Sequence, residues 1–267
     1  MIHDPGGSRD NPASVHKGLR MSQKPHWDAV GPPPVALFAQ EQIRALGEFA
    51  NFRARRRLLR EAPRGDGHPV LVMPGFLAPE FSTSPLRNFL RGLCYDARSS
   101  HLGFNFGPSP KVSETLQRRL VHLAERHGRK VSIVGWSLGG IYARELARAH
   151  PTLVRMVITM GTPFADISAT HAARFVPLRP NGKALHEAHE LRAALRRPLE
   201  VPTTSLYSRT DGIVHWQGCL QEEGPERENV EVRCSHTGMG FHAEVFRVVA
   251  NRLALREGEW RPYLRNA

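Results

Sequence analysis

The sequence predicts an α/β fold: a doubly wound, mostly parallel sheet of about six strands, with helices on both faces and a short cap insertion. Three observations predict it. Short apolar, β-branched runs alternate with helical patterns from Pro69 to the end of the chain. Those runs are apolar without alternation, as strands buried on both faces are. One joint between such a run and a helix carries Gly135-Trp136-Ser137-Leu138-Gly139. This G-x-S-x-G pattern exposes a serine on a sharp strand-to-helix turn.

The elements follow in order. Residues 1–34 are rich in Gly, Pro, Ser and charge and are expected to be disordered. Residues 35–62 read as a helical arm, with Phe38, Ile43, Leu46, Phe49 and Ala50 sharing a face and a basic second half, Arg53 to Arg60. Such an arm either packs on its own domain or makes peripheral membrane contact through residues 35–60. Pro63-Arg64-Gly65-Asp66-Gly67 marks the boundary to a main domain over 63–267.

Val70-Leu71-Val72-Met73 is the first strand. Ser84 caps the next helix, with Pro85 at its first position and Leu86, Phe89, Leu90 and Leu93 inward. A weaker strand follows near Cys94 to Arg98. Ser109-Pro110 or Ser113 opens a helix carrying Leu116, Leu120, Leu123 and Ala124, which Gly128 ends. The strand before Ser137 spans residues 130–134, and its helix runs to Ala149, before Pro151. Further strands are expected over 154–160, 201–207 and 229–233, and a last helix over about 242–255 with Phe246, Val249, Ala250 and Leu253 on one face. Residues 166–200 interrupt the alternation and contain His171, Phe175, Val176, Leu178 and Leu191. Such an insertion forms a lid, a substrate wall or an ordinary connection.

Composition narrows the function classes. The chain has 267 residues, 40% of them hydrophobic, which suits one sizeable globular domain. No apolar run is long enough to cross a membrane, and residues 1–14 lack a secretory signal's apolar core. A cytoplasmic location is therefore expected. Cys94, Cys219 and Cys234 form no C-x-x-C pair, so neither a disulfide framework nor a structural zinc site is expected. His186-Glu187-Ala188-His189-Glu190 has its second histidine one position too early for H-E-x-x-H and reads as a solvated helix face. The net charge of +12, from 37 Lys and Arg against 25 Asp and Glu, is scattered and mostly arginine. Without an aromatic-interleaved basic motif it does not indicate nucleic-acid binding.

A serine hydroxyl is a poor nucleophile until a base takes its proton, and that base is usually a histidine oriented by a carboxylate. In a doubly wound sheet these groups gather in loops after strands. Two loops qualify: Ser208-Arg209-Thr210-Asp211-Gly212 and Cys234-Ser235-His236-Thr237-Gly238. The order Ser137, Asp211, His236 is that of a nucleophile-elbow hydrolase. Asp166, in the loop after the preceding strand, competes with Asp211. His242, at the start of the last helix, competes with His236.

On these residues the chain resembles the α/β-hydrolase superfamily, in its lipase/esterase branch, and small bacterial hydrolases of uncharacterised substrate. The resemblance covers residues 63–267 through Pro69-Val70-Leu71-Val72-Met73-Pro74-Gly75-Phe76, Gly135-Trp136-Ser137-Leu138-Gly139-Gly140, Thr159-Met160-Gly161-Thr162-Pro163-Phe164, Tyr207-Ser208-Arg209-Thr210-Asp211-Gly212-Ile213-Val214 and Ser235-His236-Thr237-Gly238-Met239-Gly240. It implies a nucleophile at Ser137, a general base at His236 and an orienting acid at Asp211. It implies an oxyanion hole from the backbone N–H groups of Leu138 and Phe76. Family members often carry His-Gly where this chain has Pro74-Gly75, a departure that leaves backbone donors in place. Trp136 and Phe76 either line an acyl pocket or pack the core.

The resulting expectation is a serine hydrolase of carboxylic esters, with a small-molecule or lipid ester as substrate and no metal or organic cofactor. The same triad serves an acyltransferase, and the same fold serves a non-catalytic binding protein. The sequence does not specify an oligomeric state.

Overall fold

A computed structural model describes residues 30–55, 61–175 and 185–264. Among them the element order is α1 (Val35–Arg55), β1 (Pro69–Met73), α2 (Ser84–Gly92), β2 (Asp96–Ser99), α3 (Pro110–His127), β3 (Val131–Trp136), α4 (Leu138–Ala149), β4 (Val154–Met160), α5 (Leu185–Arg196), β5 (Thr203–Tyr207), β6 (Arg227–Glu231) and α6 (Ala243–Leu253). The strands form one parallel sheet in the order β2-β1-β3-β4-β5-β6. This is the doubly wound α/β sheet that the alternation of strand and helix patterns predicts.

Local chemistry explains the elements. Every residue of β1, β3 and β4 is buried, hence their mostly apolar character. Ser109 caps α3 by accepting from the Val112 N–H at 3.2 Å, and Pro110 opens the helix. Gly128 closes it in the left-handed conformation at φ 58°. Two apolar layers result. One face of the sheet packs Val72, Val134 and Ile158 on Leu86, Phe246 and Val249 of α2 and α6. The other packs Leu71, Ile133 and Val157 on Leu120, Ile141 and Leu146 of α3 and α4.

The chain leaves β1 toward β2 on one side and returns to β3 on the other. This reversal opens a crevice at the carboxyl ends of β1 and β3, where ligands bind in open α/β sheets. Phe76 lies in the loop after β1, and Ser137 follows β3 directly.

The arm differs in its facing from the expected apolar contact. Helix α1 buries Glu41 and Ala45, while Val35, Ile43 and Leu46 are at least seven-tenths exposed. Phe38 and Phe49 make ring contacts, tilted with His171 at 4.6 Å and edge-on with Phe241 at 5.3 Å between ring centroids. In the cap, Thr170 caps a short 3-10 turn, His171–Arg174, ahead of α5. Val176, Leu178, most of the 1–34 tail and the side chains of residues 185–189 and Leu191 lie outside the described residues, as do the side chains of the basic run from Arg53 to Arg60.

Candidate active site

Ser137 occupies φ 54°, ψ −121°, a backbone region that ordinary residues avoid. Tight packing of strand against helix holds it there. A Cβ on Gly139 would lie 2.6 Å from the Met73 carbonyl oxygen, and one on Gly135 would collide with the backbone of Gly139 and Gly140. Only glycine fits at these two positions, which is why the serine is flanked as it is. The Ser137 N–H donates to the Met160 carbonyl at 2.8 Å, tying the turn to the end of β4.

His236 comes to the same corner. A Cβ on Gly161, the residue after Met160, would sit 3.0 Å from His236 Nδ1. The His236 ring centroid lies 6.1 Å from that of Trp136, the residue before Ser137. Ser137 and His236 thus flank the Met160–Gly161 corner. His236 is buried, and Ser137 is partly open.

Behind the imidazole, His236 Nδ1 lies 2.6 Å from Asp211 Oδ2. Asp211 Oδ1 accepts from the N–H groups of Ile213 at 2.8 Å and Val214 at 2.7 Å. The carboxylate is therefore fully engaged, and its orientation is set by its own loop. Burial pushes the His236 pKa down, but the Asp211 charge, their hydrogen bond and the Glu41 charge outweigh it and leave the value above 6.5. A histidine held this way presents its other nitrogen to a hydroxyl and is stabilised once it takes the proton.

The competing residues stand elsewhere. Asp166 accepts from the Val30 N–H at 2.9 Å and from the Ser168 hydroxyl at 2.7 Å, and pairs with Arg192 at 3.1 Å. It fastens the cap. His242 occupies the N-cap position of α6.

Two backbone N–H groups are expected from the sequence to serve Ser137. That of Leu138 opens α4, where N–H groups lack intrahelical acceptors. Phe76 follows Gly75, whose added Cβ would lie 3.2 Å from Ser137 Cβ. Buried Asn105 steadies this loop, donating to the Pro74 carbonyl at 3.0 Å and accepting from the Tyr142 hydroxyl at 3.2 Å. The Leu77 N–H in turn donates to the Asn105 carbonyl at 2.8 Å. Trp136 packs in the apolar layer with Met160 and Met239, and Phe76 is half-buried against the other layer.

The match to known proteins agrees with this architecture. The alpha/beta hydrolase family model matches residues 70–263. The chain belongs to the alpha/beta hydrolase family. No curated protein matches its sequence significantly. Among solved structures, this hydrolase-family chain is similar to a lipase from Bacillus licheniformis at 17% identity and TM-score 0.53, over 73% of this chain and 95% of that one. It is similar to Aspergillus fumigatus lipase B at 16% identity and TM-score 0.52, over 70% of this chain, and it spans about half (53%) of that lipase's length. A pyrethroid hydrolase from Sphingobium faniae matches at 15% identity and TM-score 0.50, over 70% and 96% of the two chains. At these identities the likeness shows the shared fold.

Sequence reasoning missed Asn105 and Glu41, whose roles depend on contacts distant in sequence. It also missed a Ser–His–Asp chain elsewhere in this family member. His68 Nδ1 lies 2.5 Å from Asp66 Oδ1, and its Nε2 lies 2.9 Å from Ser132 Oγ. This trio sits at the amino ends of β1 and β3, opposite the crevice. His68 and Ser132 are wholly buried, so no substrate reaches them. Burial and the Arg155 charge push the His68 pKa down to about 4, which keeps the ring neutral.

Proposed function

We propose that the protein is a serine hydrolase of carboxylic esters, with Ser137 as nucleophile, His236 as general base and Asp211 as the orienting acid. The single observation behind this reading is the meeting of the Ser137 turn with the His236–Asp211 pair, 2.6 Å apart, at the Met160–Gly161 corner. Ser137 Oγ attacks the ester carbonyl while its proton passes to His236 Nε2. The oxyanion rests on the N–H groups of Leu138 and Phe76. The tetrahedral carbon then expels the alcohol, which takes the proton from His236. Water, activated by the same imidazole, attacks the acyl-enzyme and regenerates Ser137.

Apolar esters suit the surroundings. Leu77, Phe104 and Phe106 are exposed on the two loops that Asn105 joins, and the two Phe rings pack 4.6 Å apart. Phe81 is exposed shortly after this loop. These side chains supply an apolar rim for an acyl chain or a lipid surface, and the outer face of α1 exposes Val35, Ile43 and Leu46 besides. Arginine-rich positive charge favours an anionic lipid surface over a neutral one.

The test is an active-site probe. A fluorophosphonate is expected to add once to the wild-type protein, read by intact mass, and not at all to Ser137→Ala. A folded wild type that takes no adduct refutes the reading. An acyl-ester chain-length series then defines the substrate.

A further inference from the structure

Helix α1 lies outside the family match, which begins at residue 70. Its buried face is charged. Glu41 is 1% exposed, although burying a carboxylate is costly unless every lone-pair direction of importance is met. Two backbone donors meet it. Glu41 Oε2 accepts from the Gly212 N–H at 3.0 Å, and Oε1 accepts from the Thr237 N–H at 2.7 Å. Gly212 directly follows Asp211, and Thr237 directly follows His236. One carboxylate therefore joins the two loops that carry the acid and the base.

The contacts around it tighten the same junction. Arg44 donates to the Thr210 carbonyl at 2.5 Å, on the other side of Asp211. Glu48 accepts from the Ser235 N–H at 2.8 Å and from its hydroxyl at 2.5 Å, on the other side of His236. Gly212 lets the helix approach this closely, since a Cβ there would lie 2.5 Å from the Leu37 carbonyl oxygen. Glu41, Arg44 and Glu48 share one helix face by their spacing of three and four residues.

We propose that Glu41 is a positioning residue, a carboxylate brace that sets the Asp211 loop against the His236 loop and supplies a second negative charge beside the imidazole. The inference rests on the serine-hydrolase reading above. Only a carboxylate accepts at both oxygens. Glutamine can hold one loop but turns a donor toward the other N–H, and aspartate keeps the charge with a shorter reach. Among the described residues, the charges acting on His236 are Asp211 from the loop after β5 and Glu41 from α1, while Glu48 and Arg44 of α1 bind the adjoining Ser235 and Thr210. Trp136, at the end of β3, and Gly161, just after β4, also lie near the ring.

The experiment compares full-length wild type with Glu41→Gln and Glu41→Asp. It measures the rate of fluorophosphonate labelling from pH 5 to 9 and the titration of the His236 ring by NMR. In folded Glu41→Gln, labelling is expected to fall about 10- to 100-fold, the usual effect of misplacing a reacting group, and the His236 midpoint to move to lower pH. Glu41→Asp is expected to label slowly while keeping its midpoint closer to that of wild type. A Glu41→Gln protein with lowered thermal stability but wild-type labelling and midpoint overturns the proposal, because Glu41 then only fastens α1. If Glu41→Gln does not fold, Glu41→Asp decides: slow labelling supports the brace, and wild-type labelling overturns it. If wild type itself fails to label, the hydrolase reading falls. The NMR titration still judges the brace, which a lowered midpoint supports and an unchanged one overturns.

Discussion

His236 and Asp211 stand 2.6 Å apart across 25 residues of sequence, with the carboxylate's second oxygen held by two backbone N–H groups of its own loop. This pair carries a pH signature. The His236 pKa is raised above 6.5, and the base acts only when neutral. Labelling rate and kcat/KM are therefore expected to rise with pH through a midpoint above 6.5. Because the folded pKa is the raised one, the pair's contribution to stability is present below 6.5 and lost as pH passes the folded value. In Asp211→Asn, burial is opposed by the Glu41 charge alone. The midpoint should drop, and the rate should fall about 10⁴-fold. A pH–rate profile of both proteins checks this, and an unchanged midpoint in the variant would exclude Asp211 as the partner.

The serine and histidine assignments separate cleanly by substitution. Ser137→Ala and His236→Ala should each cut ester turnover about 10⁴- to 10⁶-fold while remaining folded by circular dichroism. His242→Ala should retain turnover, because His242 lies at the start of α6 rather than on Asp211. Turnover lost in His242→Ala and kept in His236→Ala would reverse the choice.

The Asp66–His68–Ser132 chain, whose histidine and serine are buried, is expected to matter for stability alone. The folded pKa of His68, about 4, lies below its ordinary 6.5, so the unfolded chain binds the extra proton first. Stability should therefore decline as pH falls from 6.5 toward 4. Ser132→Ala removes a partner of a buried nitrogen and should cost about 1–3 kcal/mol. Thermal melts across that pH range, with fluorophosphonate labelling as control, test the claim. A large loss of labelling in folded Ser132→Ala would contradict it.

The outer face of α1 offers Val35, Ile43 and Leu46 to solvent. We expect the wild-type protein to sediment with anionic vesicles and the double variant Ile43→Glu, Leu46→Glu to stay in solution. Labelling by the soluble probe should persist in both. Equal sedimentation of the two would remove α1 from the membrane-binding reading.

Much of the fold was legible in the sequence because its signals are local. Ser109, Pro110 and Gly128 bound α3 by capping chemistry that acts within a few residues. The apolar runs of β1, β3 and β4 announce strands buried on both faces. The weak strand β2, DARS, was harder to place, because it lies at the sheet's edge with only one residue fully buried. At the candidate site, Ser137 was legible from its flanking glycines. Asn105 was not, since its work is done at Pro74 and Tyr142, far along the chain.

By itself the sequence determined the alternation of strand and helix, the strained serine turn and the chain order of serine, acid and histidine. Hydrophobic period, caps and glycine contacts specify these over short stretches. Only the tertiary structure decided which carboxylate meets His236, that the Asp66–His68–Ser132 chain lies at the opposite end of the sheet from the crevice, and which face of α1 turns inward. Those outcomes depend on bonds such as Glu41 to Gly212 and to Thr237, which span 171 and 196 residues. A helix pattern counts apolar residues, whereas two buried backbone N–H groups in need of an acceptor drew the charged face of α1 inward.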